Sequence, residues 1–339
     1  MKILAIESSC DETSAAVIAD SKALSNLISS QYFHSKFGGV VPELASRAHL
    51  EAISEIVEDA LKLANLTIND IDALAVTSAP GLVGSLIVGS NFAKGLSLKY
   101  NLPLVPVNHI EGHLYSGCLQ DSSVKFPFIS LVVSGGHTII FDVKSYNEYL
   151  ILGLTKDDAA GEAFDKTAKM LGLPYPGGPQ IDKLAKNANP SAYTFPRSMI
   201  NSGDYNFSFS GLKTSVRYFI AKYFSDGIPE VMLANIAASV QEAIVDVLVK
   251  KSIDAVVNLG YKTLIVSGGV SANSRLRSKM RSACGEHKFK FVAPELSLCM
   301  DNAAMIGFIA EKKLLSDNQN FHDLTFTVNP TSIRLRKNQ

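Results

Sequence analysis

The chain has 339 residues, enough for two lobes of roughly 100 to 200 residues each, and its 47% hydrophobic content is ample for burying both. Lysine plus arginine equals aspartate plus glutamate, 32 each, so no global field draws it to nucleic acid or to an anionic membrane; a polyanion must be met by local patches. Cys10, Cys118, Cys284 and Cys299 are scattered without a Cys-x2-Cys pair, which argues against a disulfide framework and for reduced thiols in a cytoplasmic protein.

The apolar run before Glu7 is too short for a signal-peptide core. No stretch of about 18 uncharged apolar residues occurs, so no membrane association is expected. Ile3 to Ile6 reads as a buried strand and Ser14 to Ala19 as its return, leaving Glu7 to Thr13 as a polar hairpin loop. Apolar residues then recur at helical spacing from Glu43 to Leu63. A strand follows at Leu74 to Ser78, ending at Pro80-Gly81. The run from Gly81 to Tyr100 reads as a helix whose small residues suit packing on a sheet, or alternatively a helix start that approaches a phosphate.

After a strand-like Pro-Leu-Val-Pro-Val come His109 and His113, four residues apart. On a helix these imidazoles face the same way and can converge on one metal ion with coordination positions left open. A zincin protease needs its glutamate directly after the first histidine, where this chain has Ile110. Asp301 precedes an apolar helix; it reads either as an ordinary N-cap or as the carboxylate completing a two-His, one-carboxylate face.

A second strand, Phe128 to Val133, turns at Ser134-Gly-Gly-His137 and returns as Thr138 to Val143, repeating the N-terminal plan. A third, Thr263 to Val266, runs into Ser267-Gly-Gly-Val-Ser-Ala-Asn273 and a helix from Ser274 to Cys284. The chain therefore reads as a duplication: a first lobe over 1–120 with the His pair, and a second over 121–339. The second carries a substrate-shaping insertion at about 145–215, and its last helix packs back on the first lobe. Glycines after buried strands let backbone N–H groups approach an anion, and two Ser-Gly-Gly turns suggest a clamp on one nucleotide. Asp165 and Asp182 bracket a Gly-Gly loop and suit the two hydroxyls of a ribose, while Asn273 is either an N-cap or a ligand amide.

Ile6-Glu-Ser-Ser-Cys-Asp-Glu-Thr13, Ser46-Arg-Ala-His49, Ala79-Pro-Gly-Leu-Val-Gly-Ser-Leu86, Asn108-His-Ile-Glu-Gly-His113, Val133-Ser-Gly-Gly-His-Thr138, Gly161-Glu-Ala-Phe-Asp-Lys166, Tyr175-Pro-Gly-Gly-Pro179, Phe207-Ser-Phe-Ser-Gly-Leu-Lys213 and Val266-Ser-Gly-Gly-Val-Ser-Ala-Asn273 together resemble the TsaD family of tRNA threonylcarbamoyladenosine transferases, once labelled O-sialoglycoprotein endopeptidases. The resemblance spans nearly the whole chain. It implies an α/β fold of duplicated ribonuclease-H-like lobes, the actin/Hsp70/sugar-kinase (ASKHA) architecture with a nucleotide cleft.

It also implies transfer of threonylcarbamoyl from threonylcarbamoyl-adenylate to the exocyclic amine of the adenosine 3′ to the anticodon, position 37, in tRNAs reading codons that begin with A. AMP is released. Carried over by motif, His109, His113 and Asp301 are ligands of one divalent ion, iron(II) in preference to zinc. Val133, Ser134, Gly135, Gly136, His137, Asp165, Gly178, Asp182 and Asn273 contact the adenylate. Asp11 and Glu12 are the candidates to take the amine proton. The family works with a TsaB-like paralogue and a TsaE-like ATPase, for which a first-lobe helix near 45 to 65 is a contact face. Arg275, Arg277, Lys279 and Arg281, with Arg334, Arg336 and Lys337 of the tail, are the cations available to tRNA. The rival readings are a small-molecule kinase on the same fold, which needs no two-His site, a metallopeptidase, and a non-catalytic scaffold.

Overall fold

The computed structural model describes residues 1–225, 227–316 and 320–331. They divide into two compact units, one of Met1–Ser122 with the segment from Met300, the other Ser123–Cys299.

In the first unit β1 (Lys2–Glu7), β2 (Glu12–Ala19) and β3 (Lys22–Ser30) run antiparallel; β4 (Ala73–Ala79) and β5 (Leu104–Asn108) add in parallel beyond β1, giving the order β3-β2-β1-β4-β5. β1 and β2 are buried almost throughout, which is why they read as continuous apolar runs rather than alternating ones. Leu4, Ile6, Ala15 and Val17 share a core with Ile53, Ile56, Val57 and Ala60 of α1 (Pro42–Leu63). The expected loop is shorter than Glu7 to Thr13: Glu12 and Thr13 already pair in β2, so the turn is residues 8–11. α2 (Val83–Tyr100) starts two residues later than expected. A Cβ on Gly81 would lie 2.5 Å from the Ser9 carbonyl oxygen, and Gly89 backs onto Ser8. The small residues of α2 thus serve packing against the β1–β2 turn. α3 (His109–Gln120) follows β5 without a linker.

The second unit repeats the plan. β6 (Phe128–Val133), β7 (Thr138–Val143) and β8 (Tyr149–Leu154) are antiparallel, β9 and β10 parallel, in the order β10-β9-β6-β7-β8, with β9 spanning Thr263–Ser267 and β10 Lys290–Val292. β8 lies inside the segment expected to be an insertion and is part of the sheet, the counterpart of β3. The helices are α4 (Ala160–Met170), α5 (Gly177–Ala185), α6 (Ser210–Tyr223), α7 (Glu230–Leu259), α8 (Ser274–Glu286) and the short α9 (Leu296–Cys299). α7 is long and apolar enough to cross a membrane, yet 67% of its most apolar window is buried. Ile236, Val240, Ile244 and Leu248 sit in the core with Leu131, Val133, Leu264 and Val266 of the sheet. The sequence criterion passed over α7 because Gln241, Glu242 and Asp246 interrupt it.

The last helix, α10 (Ala303–Ser316), belongs to the first unit. Its Gly307 lies where a Cβ would fall 2.6 Å from Ile18 Cγ1 and 3.0 Å from Ala5 Cβ, so α10 rests directly on β1 and β2. Gly112 of α3 does the same toward Met305 and Ile306, where a Cβ would be 2.9 Å from Met305 Cγ. These two glycines set α10 close to α3 and bring its N-terminal approach, Asp301, beside the histidines.

Candidate functional site

The Asn108 side chain caps α3 by accepting the Ile110 N–H at 2.9 Å, so His109 and His113 occupy the first and second turns of one regular helix. Their rings meet edge to face, centroids 4.7 Å apart. Both Nε2 atoms approach the same oxygen of Asp301, at 3.4 Å from His109 and 3.0 Å from His113, and the three donor atoms lie within 4.8 Å of one another. Two ligands each about 2.1 Å from one ion are separated by about 3.0 Å at a right angle and about 3.4 Å at the tetrahedral angle. The two imidazole–carboxylate separations fall in that range, and two imidazoles with one carboxylate suit a first-row divalent ion with positions left open.

Asp301 is not the cap of the last helix. Asn302 Oδ1 accepts the Met305 N–H at 3.1 Å, and Ser14 Oγ accepts that of Ala303 at 2.8 Å. With capping assigned to its neighbours, Asp301 is free to face α3. All three donors belong to one compact unit.

Behind the histidines lies a partner that sequence reading left without a role. Glu7, fully buried at the end of β1, places Oε2 3.0 Å from His109 Nδ1, so that nitrogen donates and Nε2 is turned to the donor cluster. Glu7 is itself held by the Thr77 hydroxyl and by the Ser9 N–H at 2.6 Å. Burial alone would raise Glu7 and Asp301 and lower His109. Their mutual attraction wins: both carboxylates are lowered and His109 is raised well above the ordinary histidine range. The charged forms of all three groups are thus favoured together. His49 is a second unassigned brace, its Nε2–H donating to the Cys10 carbonyl at 2.9 Å while Nδ1 accepts from Thr13 Oγ1 at 2.7 Å, which fixes the β1–β2 turn against α1. In that turn Asp11 is half-buried. Glu12 is pushed up to about 10, by burial first and then by the Asp301 and Asp11 carboxylates. Burial and these neighbouring carboxylates thus favour the neutral form of Glu12.

The adenylate candidates all fall in the second unit. Ser134 to His137 close a tight turn, the Ser134 N–H donating to His137 O at 2.8 Å, while Ser134 O and Gly135 O accept the N–H groups of Gly161 and Glu162 at the start of α4. Gly161 allows this approach, since its Cβ would lie 2.5 Å from Ser134 O. Gly135 and Gly136 are exposed with open space beside them. The second Ser-Gly-Gly sits alongside: Ser267 pairs with Val132, and Gly268, at φ +87, packs against the Val133 carbonyl. Asp165 accepts the Gly177 N–H at 2.7 Å, next to Gly178. Asp182 accepts the N–H and hydroxyl of Ser274 at 3.1 and 2.8 Å, steadying the start of α8. Asn273 caps α8 through the Leu276 N–H at 2.9 Å and donates to Gln241 Oε1 at 2.7 Å, so its amide is committed within the unit.

The cations expected to meet tRNA are largely spoken for. Glu242 takes both Arg275, at 2.7 and 2.9 Å, and Lys279; Lys279 also reaches Asp246. Arg277 donates to the carbonyls of Ser271 and Pro294, and Arg281 stands over Phe291. Arg334, Arg336 and Lys337 lie outside the described residues.

The fold defines the class first. Over 94% of the chain the structure is similar to full-length HypF in a phosphate- and nucleotide-bound form, with TM-score 0.61, 14% identity and 47% of that chain covered. It is also similar to component A of (R)-2-hydroxyglutaryl-CoA dehydratase from Acidaminococcus fermentans, with TM-score 0.57 and 14% identity over 93% of this chain and 100% of that one. This is the duplicated α/β architecture of the ASKHA proteins. Within that class, the TsaD family model, tRNA N6-adenosine threonylcarbamoyltransferase, matches residues 22–308, and the chain belongs to this family. Relatives bearing that name are 50% identical in Thermosipho africanus, over 92% of this chain and 94% of theirs, and 50% identical in Clostridioides difficile, over 96% of both. Kinase and peptidase readings are not favoured by these relationships.

Proposed function

We propose that this chain transfers the threonylcarbamoyl group from threonylcarbamoyl-adenylate to N6 of adenosine 37 in tRNAs reading codons that begin with A, releasing AMP. The observation that carries the reading is the convergence of His109, His113 and Asp301 in a chain of the TsaD family. Adenine N6 is a weak nucleophile because its lone pair is delocalised into the ring, so the acceptor needs an activated carbonyl and close placement. In the reaction N6 bonds to the carbamoyl carbon, the bond from that carbon to the phosphate oxygen breaks, AMP leaves with the electron pair, and N6 gives up a proton.

His109, His113 and Asp301 would hold one divalent ion, iron(II) in preference to zinc, with Glu7 orienting His109. Bound there, the ion supplies Lewis-acid polarisation of donor oxygens. The Ser134 to His137 turn, with Val133 behind it, offers backbone N–H groups to the departing phosphate; Asp165, Gly178 and Asp182 line the ribose side, and Asn273 supports them through α8. Asp11 is the carboxylate left to take the N6 proton. An anticodon-loop adenosine is already single-stranded, so presenting it costs only unstacking. A TsaB-like paralogue, a TsaE-like ATPase and a cytoplasmic setting complete the reading. Cells depleted of the chain should lose threonylcarbamoyladenosine from their tRNA, as read by nucleoside mass spectrometry, and regain it with the wild-type gene but not with His109→Ala. Unchanged nucleoside in depleted cells overturns the proposal.

A further inference from the structure

With Arg275, Arg277 and Lys279 committed internally, the free positive charge of the second unit lies elsewhere. Between Lys183 and Ser225 the sequence has six lysines and arginines and one acid, Asp204, in a chain whose charges cancel overall; of these cations Arg197 pairs with Asp246 and Lys213 with Asp158. α6 lies in this stretch and contains no acid. It buries Leu212 and Val216, and Phe219 pins it through ring contacts to Tyr193 and Phe195 at 4.8 and 5.4 Å. Thr214, Arg217, Tyr218, Ala221 and Lys222 follow helical spacing along the other face, and all are exposed.

Two features set this stripe apart from a solvated helix face. Tyr218 is 64% exposed and Tyr223 59%, a large amount of aromatic surface left in water. The cations beside them rest on rings instead of carboxylates: Arg217 stands 5.4 Å from the Tyr218 centroid and Lys222 4.9 Å from that of Tyr223. Among the described residues neither cation has an acidic partner. An ordinary surface intersperses both signs of charge. A single-sign stripe with exposed π-faces matches a strand that carries phosphates and unpaired bases together.

We propose that this face of α6 docks the anticodon stem-loop of the substrate tRNA, Arg217 and Lys222 meeting phosphates and Tyr218 stacking on an unpaired base. The proposal rests on the transferase reading above and adds the surface that this reading lacks. The test titrates the full-length chain with a labelled tRNA transcript across about 50 to 200 mM salt, followed by anisotropy. The same variants replace the wild type in cells whose tRNA is assayed by nucleoside mass spectrometry. The double substitution Arg217→Ala with Lys222→Ala should weaken binding about tenfold or more at the lower salt and reduce the slope of log affinity against log salt by about 1.5. Tyr218→Ala should weaken binding about fivefold or more with the slope unchanged, and Tyr218→Phe should bind like wild type. Metal content and adenylate binding should not move. Wild-type affinity and salt slope in the double variant overturn the docking surface. Lost modification in cells with unaltered RNA affinity overturns it too, and assigns the face to an acidic protein partner. A wild-type chain that neither binds the transcript nor supports modification overturns the transferase reading as well, whereas failure of the variants alone to matter overturns only the docking.

Discussion

The two units share one strand plan, a central strand that begins an antiparallel three-stranded meander on one side and has two parallel strands on the other, yet their first turns are held by different groups. After β1 the turn is fixed by side chains: Glu7 reaches the Ser9 N–H, Ser8 Oγ donates to Ser85 O at 3.0 Å, and His49 holds the Cys10 carbonyl. After β6 it is fixed mainly by backbone, with Ser134 O and Gly135 O capping the first N–H groups of α4 and the Ser134 hydroxyl accepting the His137 N–H at 3.2 Å. The first arrangement gathers buried acids and imidazoles, a setting that favours a cation. The second leaves glycine N–H groups open, a setting that favours an anion. One scaffold fixes where a loop lies, and the residues of that loop decide what charge it can receive.

The largest effect that would break this contrast is loss of the imidazoles. His109→Ala or His113→Ala should take the purified chain from about one ion to none and abolish transfer, while far-ultraviolet circular dichroism still reports a folded protein. Metal retained by both variants would remove the cation half of the comparison. Glu7→Gln tests how much of that half depends on the carboxylate behind His109. Metal affinity should fall by about 10- to 100-fold, measured by competition with a chromogenic chelator, because the amide no longer fixes the ring by charge. An unchanged affinity would mean that helix geometry alone orients His109.

Gly161→Ala perturbs the anion half alone. The new Cβ would meet the Ser134 carbonyl oxygen at 2.5 Å, so the turn must shift, at a cost of about 1 to 3 kcal/mol. Thermal unfolding should register the loss and calorimetry should show weaker adenylate binding, while the metal content stays at the wild-type value. The smallest effect is on acid stability. Arg275 and Lys279 outweigh burial and hold Glu242 down at about 2, so its stabilising pairing is fully present above the ordinary carboxylate value of 4.5 and is lost as pH falls toward 2. Glu242→Gln should therefore flatten the fall of melting temperature between about pH 5 and pH 2 and leave metal content untouched.

Strands β1, β6 and β9 were legible because sheets covered on both faces need continuous apolar runs, and their glycine or polar turns mark the ends. The His109–His113 pair was legible for a similar reason: helical spacing is local, and a capped α3 realises it directly. α7 was less so, since its interior polar residues break a strict apolar run although Glu242 is satisfied by α8 and Asn273 reaches Gln241. The duplication was visible in strand and turn, but β8, although its run Tyr-Leu-Ile-Leu-Gly-Leu is apolar, was hidden in what looked like an insertion, and it is only partly buried at the sheet edge.

Local chemistry, then, was in the sequence itself: residue types, short periodicities and the motifs that place the chain among the TsaD proteins. The decisions made in space were of another kind. Glu7 stands 102 positions from His109 and Asp301 stands 188 from His113, and no local rule pairs them. Asp301 reaches the histidines because Gly112 and Gly307 let α10 lie close on α3 and on the sheet. Arg275 and Lys279 likewise looked available along the chain and became committed only when α8 packed on α7 and met Glu242 and Asp246. Which charges are left for a ligand depends on which find partners when the units close-pack, and that is a property of three-dimensional packing.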